Sequence, residues 1–321
     1  MASMSASHPP IETVAIVGAG AMGAMYEDHF SRNGFRTLIL ATGERAARLR
    51  AQPITVNGTP QDVEVVDPLA PGAQPPAVDL VIVAVKHQQL ADAVDLLAPV
   101  VTGRTTILSV LNGLESEAII LRGLREAGVR IDEEQVPLCI ALAMDAERTG
   151  LDVRFTQAGR LVLGPSSGIG DPGSPRIAAV HEALGRAGLA SSTPPDMRHQ
   201  MWWKFMVHVG INQASAVIRT GYGGFQKPGP AYELMMALIV EVRSVARAEG
   251  VELTDADVDR WHQGLAGQPA DGMTSMHQDV LAGRPTEVDI FAGRVVELGE
   301  RHGIPMPHNQ TMLWILRAPG D

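Results

Sequence analysis

The chain contains little that would direct it to secretion or into a membrane. Its 321 residues include a single cysteine, Cys139, which excludes an internal disulfide. No apolar run approaches the roughly 18 residues that a bilayer span requires. The first ten residues, MASMSASHPP, have neither the basic nor the apolar region of a secretory signal and are predicted to form a loose tail. A reducing cytoplasm is therefore the expected location.

Basic charge is scarce as well. The sequence has 26 Lys and Arg against 36 Asp and Glu, a net charge of −10, which disfavours general binding to nucleic acid or to an anionic membrane. The few aromatic residues show no stacking pattern for nucleic-acid bases. No Cys/His cluster has zinc spacing, so no metal site is expected. With 45% apolar residues, the composition fits a globular chain of two domains.

Lysine is the rarest of the basic residues. Only Lys86, Lys204 and Lys227 occur, and the other 23 basic residues are arginine. A lysine can lose its proton when its surroundings shift its pKa, which an arginine in practice cannot do. The three lysines are therefore candidates for sites that arginine cannot serve, with compositional drift as the alternative.

The first residues of the predicted fold carry a nucleotide-binding pattern. The apolar run at 13–17 leads into Gly18-Ala19-Gly20-Ala21-Met22-Gly23, a helical pattern continues to about Asn33-Gly34, and a second apolar run covers 37–40. Strand, glycine-rich turn, helix and strand within about 30 residues is the context in which GxGxxG predicts a dinucleotide site. The helix N-terminus would offer its free N–H groups to the diphosphate.

Further apolar runs alternate with helical patterns along the first part of the chain. They predict strands at 79–85, 106–111 and 136–143, an extended pair at 153–163, and helices at 88–98, 115–127 and 174–187. After Pro194-Pro195 the pattern is mainly helical. We therefore predict an α/β chain with a doubly wound, Rossmann-type domain over 11–193 and a mainly α-helical domain over 194–321.

Two polar residues follow apolar runs directly. Lys86 comes after DLVIVAV and Asn112 after TILSVL. Ligands of open parallel sheets bind outside the carboxyl ends of the strands, so both side chains are predicted to reach the crevice of the glycine-rich turn. The alternatives are a solvated strand end for Lys86 and an Asn-Gly turn for Asn112.

One long helix is predicted from Asp196 to Ile218, capped by Thr193 or Asp196. Its middle part, HQMWWKFMVHVGINQASAVI, has one formal charge, Lys204, and is otherwise rich in apolar residues, which indicates a buried helix. Lys204, His208 and Asn212 share one face at i, i+4 and i+8, and such a stripe predicts a polar cleft. The alternative is a Lys204 that extends to solvent beside a structural core histidine.

Near the C-terminus, spacing alone predicts helix caps. Ser275 with Gln278 fits a capping box, and Thr286 with Asp289 resembles one, which would place Glu287 in the first turn of a helix.

Several blocks of the sequence together resemble the ketopantoate reductase (2-dehydropantoate 2-reductase) family, from Val14 to about Asn309. The blocks are VAIVGAGAMG, VAVKHQQ, LNGLESE, WWKFMVHVGINQASA, SMHQDVLAGRPTEVD and GIPMPHN. The resemblance implies a Rossmann domain followed by a helical domain, with an NAD(P)H cofactor.

The resemblance also implies roles for individual residues. Gly18 to Gly23 would bind the diphosphate, and Lys86 and Asn112 match cofactor and active-site contacts. Lys204 matches the proton-donating lysine, and Glu287 matches the acidic residue near nicotinamide and substrate. Substrate contacts are implied for Asn112, Asn212 and Ser275, and His208 would join them.

Two departures from the family pattern bear on specificity. His208 stands where the family usually has Asn, and its ring is larger and can titrate. Ala41-Thr42-Gly43 stands where the family often has an Arg for the 2′-phosphate of NADPH, and Arg45 and Arg48 follow one helical turn later. Glu44 comes slightly too late to select NAD. NADP(H) is favoured through Arg45, and NAD(H) stays open.

The sequence thus predicts an NAD(P)H-dependent reductase of a small anionic 2-oxo acid, with Lys204 as proton donor and Glu287 orienting substrate or supporting the charge of Lys204. The alternatives are a relative acting on another 2-oxo acid, such as a mandelate-type D-2-hydroxyacid dehydrogenase with NADH, a β-hydroxyacid dehydrogenase, or a dinucleotide sensor without turnover. The oligomeric state is left open, with a homodimer as one alternative.

Overall fold

The computed structural model describes residues 8–165, 167–168 and 174–318. Most of the predicted N-terminal tail and part of the Pro/Gly-rich loop at 164–175 lie outside these ranges. The chain divides into two compact units, residues 1–197 and 198–321; the predicted domain limits at 193 and 194 stay a prediction. Cys139, the single cysteine, is buried and takes part in no disulfide. None of the helices in the described ranges combines the length and apolar character that a bilayer span requires.

The first unit contains twelve strands and five α-helices among its described residues. The strands are β1 (Thr13–Val17), β2 (Arg36–Leu40), β3 (Thr55–Val56), β4 (Thr59–Pro60), β5 (Glu64–Val66), β6 (Leu80–Val83), β7 (Thr106–Ser109), β8 (Leu138–Leu142), β9 (Glu147–Thr149), β10 (Asp152–Arg154), β11 (Arg160–Gly164) and β12 (Ala190–Ser192). The helices are α1 (Ala21–Arg32), α2 (Gly43–Ala51), α3 (Leu90–Leu97), α4 (Ser116–Glu126) and α5 (Pro175–Arg186).

The central sheet has five parallel strands in the order β5-β2-β1-β6-β7. The chain builds outward from β1 through β2 to β5, then returns to the other side of β1 for β6 and β7. The order therefore reverses between β1 and β6, which is the position where doubly wound sheets bind nucleotides. This confirms the predicted Rossmann-type α/β architecture.

Both faces of this sheet are buried, which explains the continuous apolar runs. Val14 and Ile16 of β1 pack into one apolar cluster together with helix α1, whereas Ala15 and Val17 pack into a second cluster with α3. Successive side chains of a strand point to opposite faces, so each face needs its own apolar residues.

Two smaller sheets depart from the sequence prediction. The predicted strand at 136–143 is β8, but it pairs antiparallel with β11 in a separate sheet of order β12-β11-β8. The predicted extended pair at 153–163 is divided, because β10 belongs to a third sheet of order β4-β3-β10-β9. Strands of two or three residues, such as β3, β4 and β9, are too short to produce a periodic pattern.

The second unit is helical, as predicted. Its helices are α6 (Met197–Ile218), whose first residue closes the first unit, then α7 (Pro230–Ala248), α8 (Asp255–Ala266), α9 (Ser275–Leu281), α10 (Ala292–His302) and α11 (Pro307–Arg317). Helix α6 corresponds to the long helix of the sequence prediction.

Side chains of helix α6 form hydrogen bonds with three other helices of the second unit. The indole Nε1 of Trp203 donates to the carbonyl of Asp257 in α8 at 3.0 Å. The amide of Gln213 donates to Asn309 Oδ1 in α11 at 3.2 Å and accepts from the Ala292 N–H at the start of α10 at 3.0 Å. The residues on α6 are thereby held by bonds to three surrounding helices.

Helix α11 is capped by a side chain from another helix. The buried carboxylate of Glu241 in α7 accepts hydrogen bonds from the N–H groups of His308 and Asn309 at 2.8 and 2.9 Å, and from Asn309 Nδ2 at 2.7 Å. A carboxylate at a helix N-terminus satisfies N–H groups that have no partner within the helix and is favoured by the helix dipole. The predicted family block GIPMPHN thus includes the residues that fix α11 to α7.

Candidate active site

The turn between β1 and α1 requires glycine at two of the three glycine positions of the GxGxxG pattern. Gly18 has φ +100°, and a Cβ there would lie 2.6 Å from the carbonyl carbon and oxygen of Ala84. A Cβ on Gly23 would lie 1.9 Å from the carbonyl oxygen of Gly18. The two glycines therefore allow the turn to pass close to β6 and the helix to pack against the turn.

The middle glycine has a different surrounding. A Cβ on Gly20 would meet nothing within 4 Å, so the protein leaves open space beside this residue. Gly20 is also the N-cap of α1, and the first N–H groups of a helix have no acceptor within the helix. An open space in front of free N–H groups fits a dinucleotide diphosphate, which the turn would hold without any side chain.

A cavity of about 180 Å³ lies at the ends of β1 and β2, where a doubly wound sheet holds the adenosine half of a dinucleotide. Residues lining it include Gly18, Ala19, Ala41, Thr42, Arg45 and Val85. Arg45 is thus beside the turn, with its Nη2 atom 3.4 Å from the carbonyl oxygen of Ala19.

Asp67 is a functional candidate that the sequence reasoning missed. Its carboxylate accepts from the Thr42 hydroxyl at 3.1 Å and from the Gly43 N–H at 3.2 Å, at the start of α2. Partial burial opposes the charged form, but these bonds and one from the Leu69 N–H outweigh it and lower the pKa of Asp67. The sequence shows no acid at the end of β2, whereas the fold brings one there from the end of β5, the neighbouring strand. Only the strand order reveals this.

Lys86 and Asn112 lie where the sequence places them. Each is three residues beyond the end of its strand, β6 or β7, and these strands and β1 are parallel neighbours, so their carboxyl ends share the edge that carries the turn. Lys86 is exposed and Asn112 is partly buried. Gly113, with φ +101°, lies in a bend at 112–114. Their contacts with a cofactor stay predictions.

The polar stripe of α6 is present in the second unit. Lys204 is 7% exposed and Asn212 is 5% exposed, so the alternative of a lysine that extends to open solvent is wrong. His208 lies between them on the same face and packs edge-on against the ring of Phe291, with ring centroids 5.7 Å apart.

The surroundings of His208 determine its ionisation. Burial, together with the charge of Lys204, lowers the pKa of His208 to about 3. The ring is therefore neutral near pH 7 and offers one donor and one acceptor, as an asparagine amide also can. The histidine that replaces the family's asparagine thus keeps the neutral hydrogen-bonding character of this position.

The two predicted caps near the C-terminus are wrong. The side chain that caps α9 is Thr274, which accepts from the His277 N–H at 3.2 Å, and Ser275 is the first helical residue and exposed. Thr286 precedes the next turn. Glu287 occupies the N-cap position of a short 3₁₀ turn at 288–290, with no side-chain cap bond, and is partly buried.

Hydrogen bonds and ring contacts bring these residues of the second unit together. The Ser215 hydroxyl bonds both the carbonyl of Asn212, at 3.1 Å, and the hydroxyl of Thr274, at 2.7 Å. The start of α9, with Ser275, is therefore fixed to the Asn212 end of the stripe. Phe291 follows Glu287 by four residues and contacts His208. The segments that carry Ser275 and Glu287 are thus each in contact with α6, and a shared site of these two side chains with Lys204 stays a prediction.

The described residues contain no group of three or more His, Cys, Asp or Glu side chains that could hold a metal ion. The chemistry available is that of a buried ammonium, neutral hydrogen-bonding groups and a carboxylate. Such a set can bind a small polar anion and donate a proton to it.

Comparisons with known proteins agree over both units. The family model described as ketopantoate reductase PanE/ApbA matches residues 14–168, and the model of the C-terminal part of the same family matches 196–319. The 2-dehydropantoate 2-reductase of Halobacterium salinarum is 28% identical over 316 residues, covering 95% of this chain and 97% of the relative.

Solved structures share the fold over nearly the whole chain. A PanE/ApbA family ketopantoate reductase from Ralstonia eutropha JMP134 is 25% identical with a TM-score of 0.75, covering 95% of this chain and 97% of that one. D-mandelate dehydrogenase, solved with NADH and anilino(oxo)acetate, has a TM-score of 0.81 at 21% identity, covering 96% and 98%. The matched segments, taken with the turn and the helical unit, place this chain in the ketopantoate reductase family of NAD(P)-dependent oxidoreductases acting on CH–OH groups.

Proposed function

We propose that the protein reduces a small 2-oxo acid to the 2-hydroxy acid with NAD(P)H, in the manner of a 2-dehydropantoate 2-reductase, which forms (R)-pantoate from 2-dehydropantoate. The observation that carries the proposal is the buried Lys204 in line with His208 and Asn212 on α6, in a chain whose β1–α1 turn fits a dinucleotide.

The bound nicotinamide supplies the hydride. Lys204 donates a hydrogen bond to the carbonyl oxygen, stabilises the negative charge that develops there, and gives it a proton. Donors aimed at charge that grows in the transition state contribute most of the acceleration in many enzymes. Glu287 orients the substrate or supports the charge of Lys204.

The remaining polar groups bind the substrate. Asn112, His208, Asn212 and Ser275 contact its carboxylate and hydroxyl groups, with His208 acting as a neutral donor or acceptor. Glycines 18 to 23 and Lys86 hold the cofactor. NADPH is favoured through Arg45, which lines the adenosine cavity, and NADH stays the alternative because Asp67 brings a carboxylate to Thr42 of the same cavity.

A panel of 2-oxo acids, assayed with NADPH and NADH, tests this function. Lys204→Met and Lys204→Arg should each lower kcat on the best substrate by about 10²-fold or more, since arginine keeps the charge but does not readily give up a proton. Lys227→Met is the matched control, because Lys227 is exposed. A Lys204→Met variant with wild-type kcat would refute the role of Lys204.

A second candidate is a D-2-hydroxyacid dehydrogenase that reduces a 2-oxo acid with an aromatic side chain. The observation that favours it is the imidazole ring of His208, held edge-on against the buried Phe291, where the family has an amide. A higher kcat/KM for an aryl 2-oxo acid than for 2-dehydropantoate would select this candidate. If the protein binds NADPH or NADH but no 2-oxo acid oxidises the bound cofactor, the alternative of a dinucleotide sensor without turnover is favoured.

A further inference from the structure

Three arginines gather at the glycine-rich turn of the first unit. Arg45 and Arg48 lie one turn apart on α2, and Arg148 lies on β9 of the four-stranded sheet. The Nη2 atom of Arg45 and the Nη1 atom of Arg148 both donate to the same acceptor, the carbonyl oxygen of Ala19. Two guanidinium groups from distant parts of the sequence therefore meet at one atom of the turn.

This grouping brings like charges together. Burial, followed by the charges of Arg45 and Arg48, lowers the pKa of Arg148. Within the described ranges, neither Arg45 nor Arg148 forms an ion pair with a carboxylate, whereas many other arginines of the chain do. Positive groups that repel each other without a counter-charge are stabilised when an anion binds between them.

The position of the arginines indicates which phosphate group of a dinucleotide they would bind. The diphosphate has its own donors, the free N–H groups of α1 in front of Gly20. Arg45 lines the adenosine cavity at the end of β2, where a doubly wound sheet holds the ribose and where an arginine accommodates a 2′-phosphate. An additional phosphate on the ribose is therefore the anion that fits.

We propose that Arg148 is a specificity-determining residue, which with Arg45 forms a two-armed site for the 2′-phosphate of NADP(H). This inference rests on the proposed function, since it concerns the same cofactor. The planar guanidinium fork matches a phosphate geometrically and gives charge-assisted hydrogen bonds.

The two arms differ in how firmly they are held. Arg148 is partly buried, and its Nε atom donates to the carbonyl of Gly150 at 2.8 Å, so its guanidinium is fixed before a ligand arrives. Arg45 is exposed on α2. A donor held in place by the protein loses less conformational entropy on binding, so Arg148 should contribute at least as much discrimination as Arg45.

Binding of NADPH, NADH, 2′,5′-ADP and 5′-AMP to the full-length protein, measured by titration calorimetry, tests the inference without turnover. Arg148→Gln should raise the Kd for NADPH and 2′,5′-ADP by about tenfold or more, the effect of losing one charge-assisted contact. The Kd for NADH and 5′-AMP should change less than about threefold. Arg154→Gln is the matched control, because Arg154 lies on the adjacent strand β10, is exposed, and pairs with Asp152 at 2.8 Å.

The outcomes separate this inference from the proposed function. Equal losses for NADPH and NADH, or no loss for either, would overturn the role of Arg148, as would a wild-type protein that binds 5′-AMP as tightly as 2′,5′-ADP. Reduction of a 2-oxo acid by the wild type with either cofactor would leave the proposed function standing in all three cases. If Arg148→Gln fails to fold, Arg148→Lys keeps a charge without the fork and should still lose affinity for 2′,5′-ADP selectively.

Discussion

His208 illustrates how enclosure changes the chemistry of a single residue. A free histidine titrates near pH 6.5, but burial and the Lys204 charge lower the pKa of His208 to about 3. The ring therefore stays neutral over the pH range in which the protein would work, so the substrate contact proposed for it would not change with pH.

This depressed pKa predicts a pH dependence of stability. Because the folded protein resists protonation of His208, its contribution to the free energy of unfolding is complete above the unfolded pKa of about 6.5 and falls as the pH decreases toward 3. Between pH 6.5 and 5 the loss is about 2 kcal/mol, from 1.36 kcal/mol per pH unit. Urea unfolding at pH 7 and pH 5 measures this effect. From pH 7 to pH 5, the free energy of unfolding of His208→Asn should fall by about 2 kcal/mol less than that of the wild type. Equal losses would mean that the ring is accessible to protons.

Single residues also show where sequence reasoning ends. The glycines, Lys86 and Asn112 could be placed because each lies within a few residues of the strand that positions it. Arg148 could not, because it follows its contact, Ala19, by 129 residues and lies on a three-residue strand of another sheet. Ser275 was assigned as a cap because Gln278 follows it by three residues, and spacing alone could not show that the adjacent Thr274 is the cap.

At the scale of elements, the β1–turn–α1 unit separates the structural role of glycine from its role in binding. Gly18 has a positive φ and close contact with the backbone of Ala84, whereas Gly20 has φ −81° and open space beside it. An alanine at 18 therefore strains the fold, and an alanine at 20 only fills space that a ligand would occupy.

We expect Gly18→Ala to lower the free energy of unfolding by about 2–4 kcal/mol, from backbone strain and steric overlap. Gly20→Ala should lower it by only about 1 kcal/mol, the cost of alanine in place of glycine at an N-cap, yet raise the Kd for NADPH about tenfold or more. Thermal unfolding and fluorescence titration of the two variants measure both effects. A Gly20→Ala protein that binds NADPH as the wild type does would place the diphosphate elsewhere.

Long elements were predictable and short ones were not. The buried strands β1, β6 and β7 and helix α6 have apolar patterns long enough to identify their type. Strand β8 was identified as a strand, but its partner could not be predicted, because pairing with β11 is decided by contacts across the chain rather than by local residues. The helical spacing of apolar residues predicted the helices of the second unit. The capping of α11 by Glu241 could not be predicted in this way, because it depends on a contact between two helices.

For the whole molecule, a net charge of −10 opposes the approach of anionic cofactors and substrates at long range. Binding must therefore come from local positive charge and aligned N–H groups. The first unit has both at one turn, where the arginine group and the start of α1 meet. Both apolar clusters of this unit, which cover the two faces of the central sheet, consist of residues within 1–197.

We therefore expect residues 1–197 to fold alone and to bind NADPH, but not to reduce any 2-oxo acid, because Lys204, His208 and Asn212 are absent. A chain of about 200 residues buries enough surface for an independent core. Circular dichroism with cooperative thermal unfolding would test the folding, and calorimetric titration with NADPH would test binding, with the fragment carrying Gly20→Ala as the control that folds but binds weakly. A folded fragment without affinity for NADPH would show that residues beyond 197 are needed to hold the cofactor, and would contradict the assignment of the dinucleotide site to the first unit.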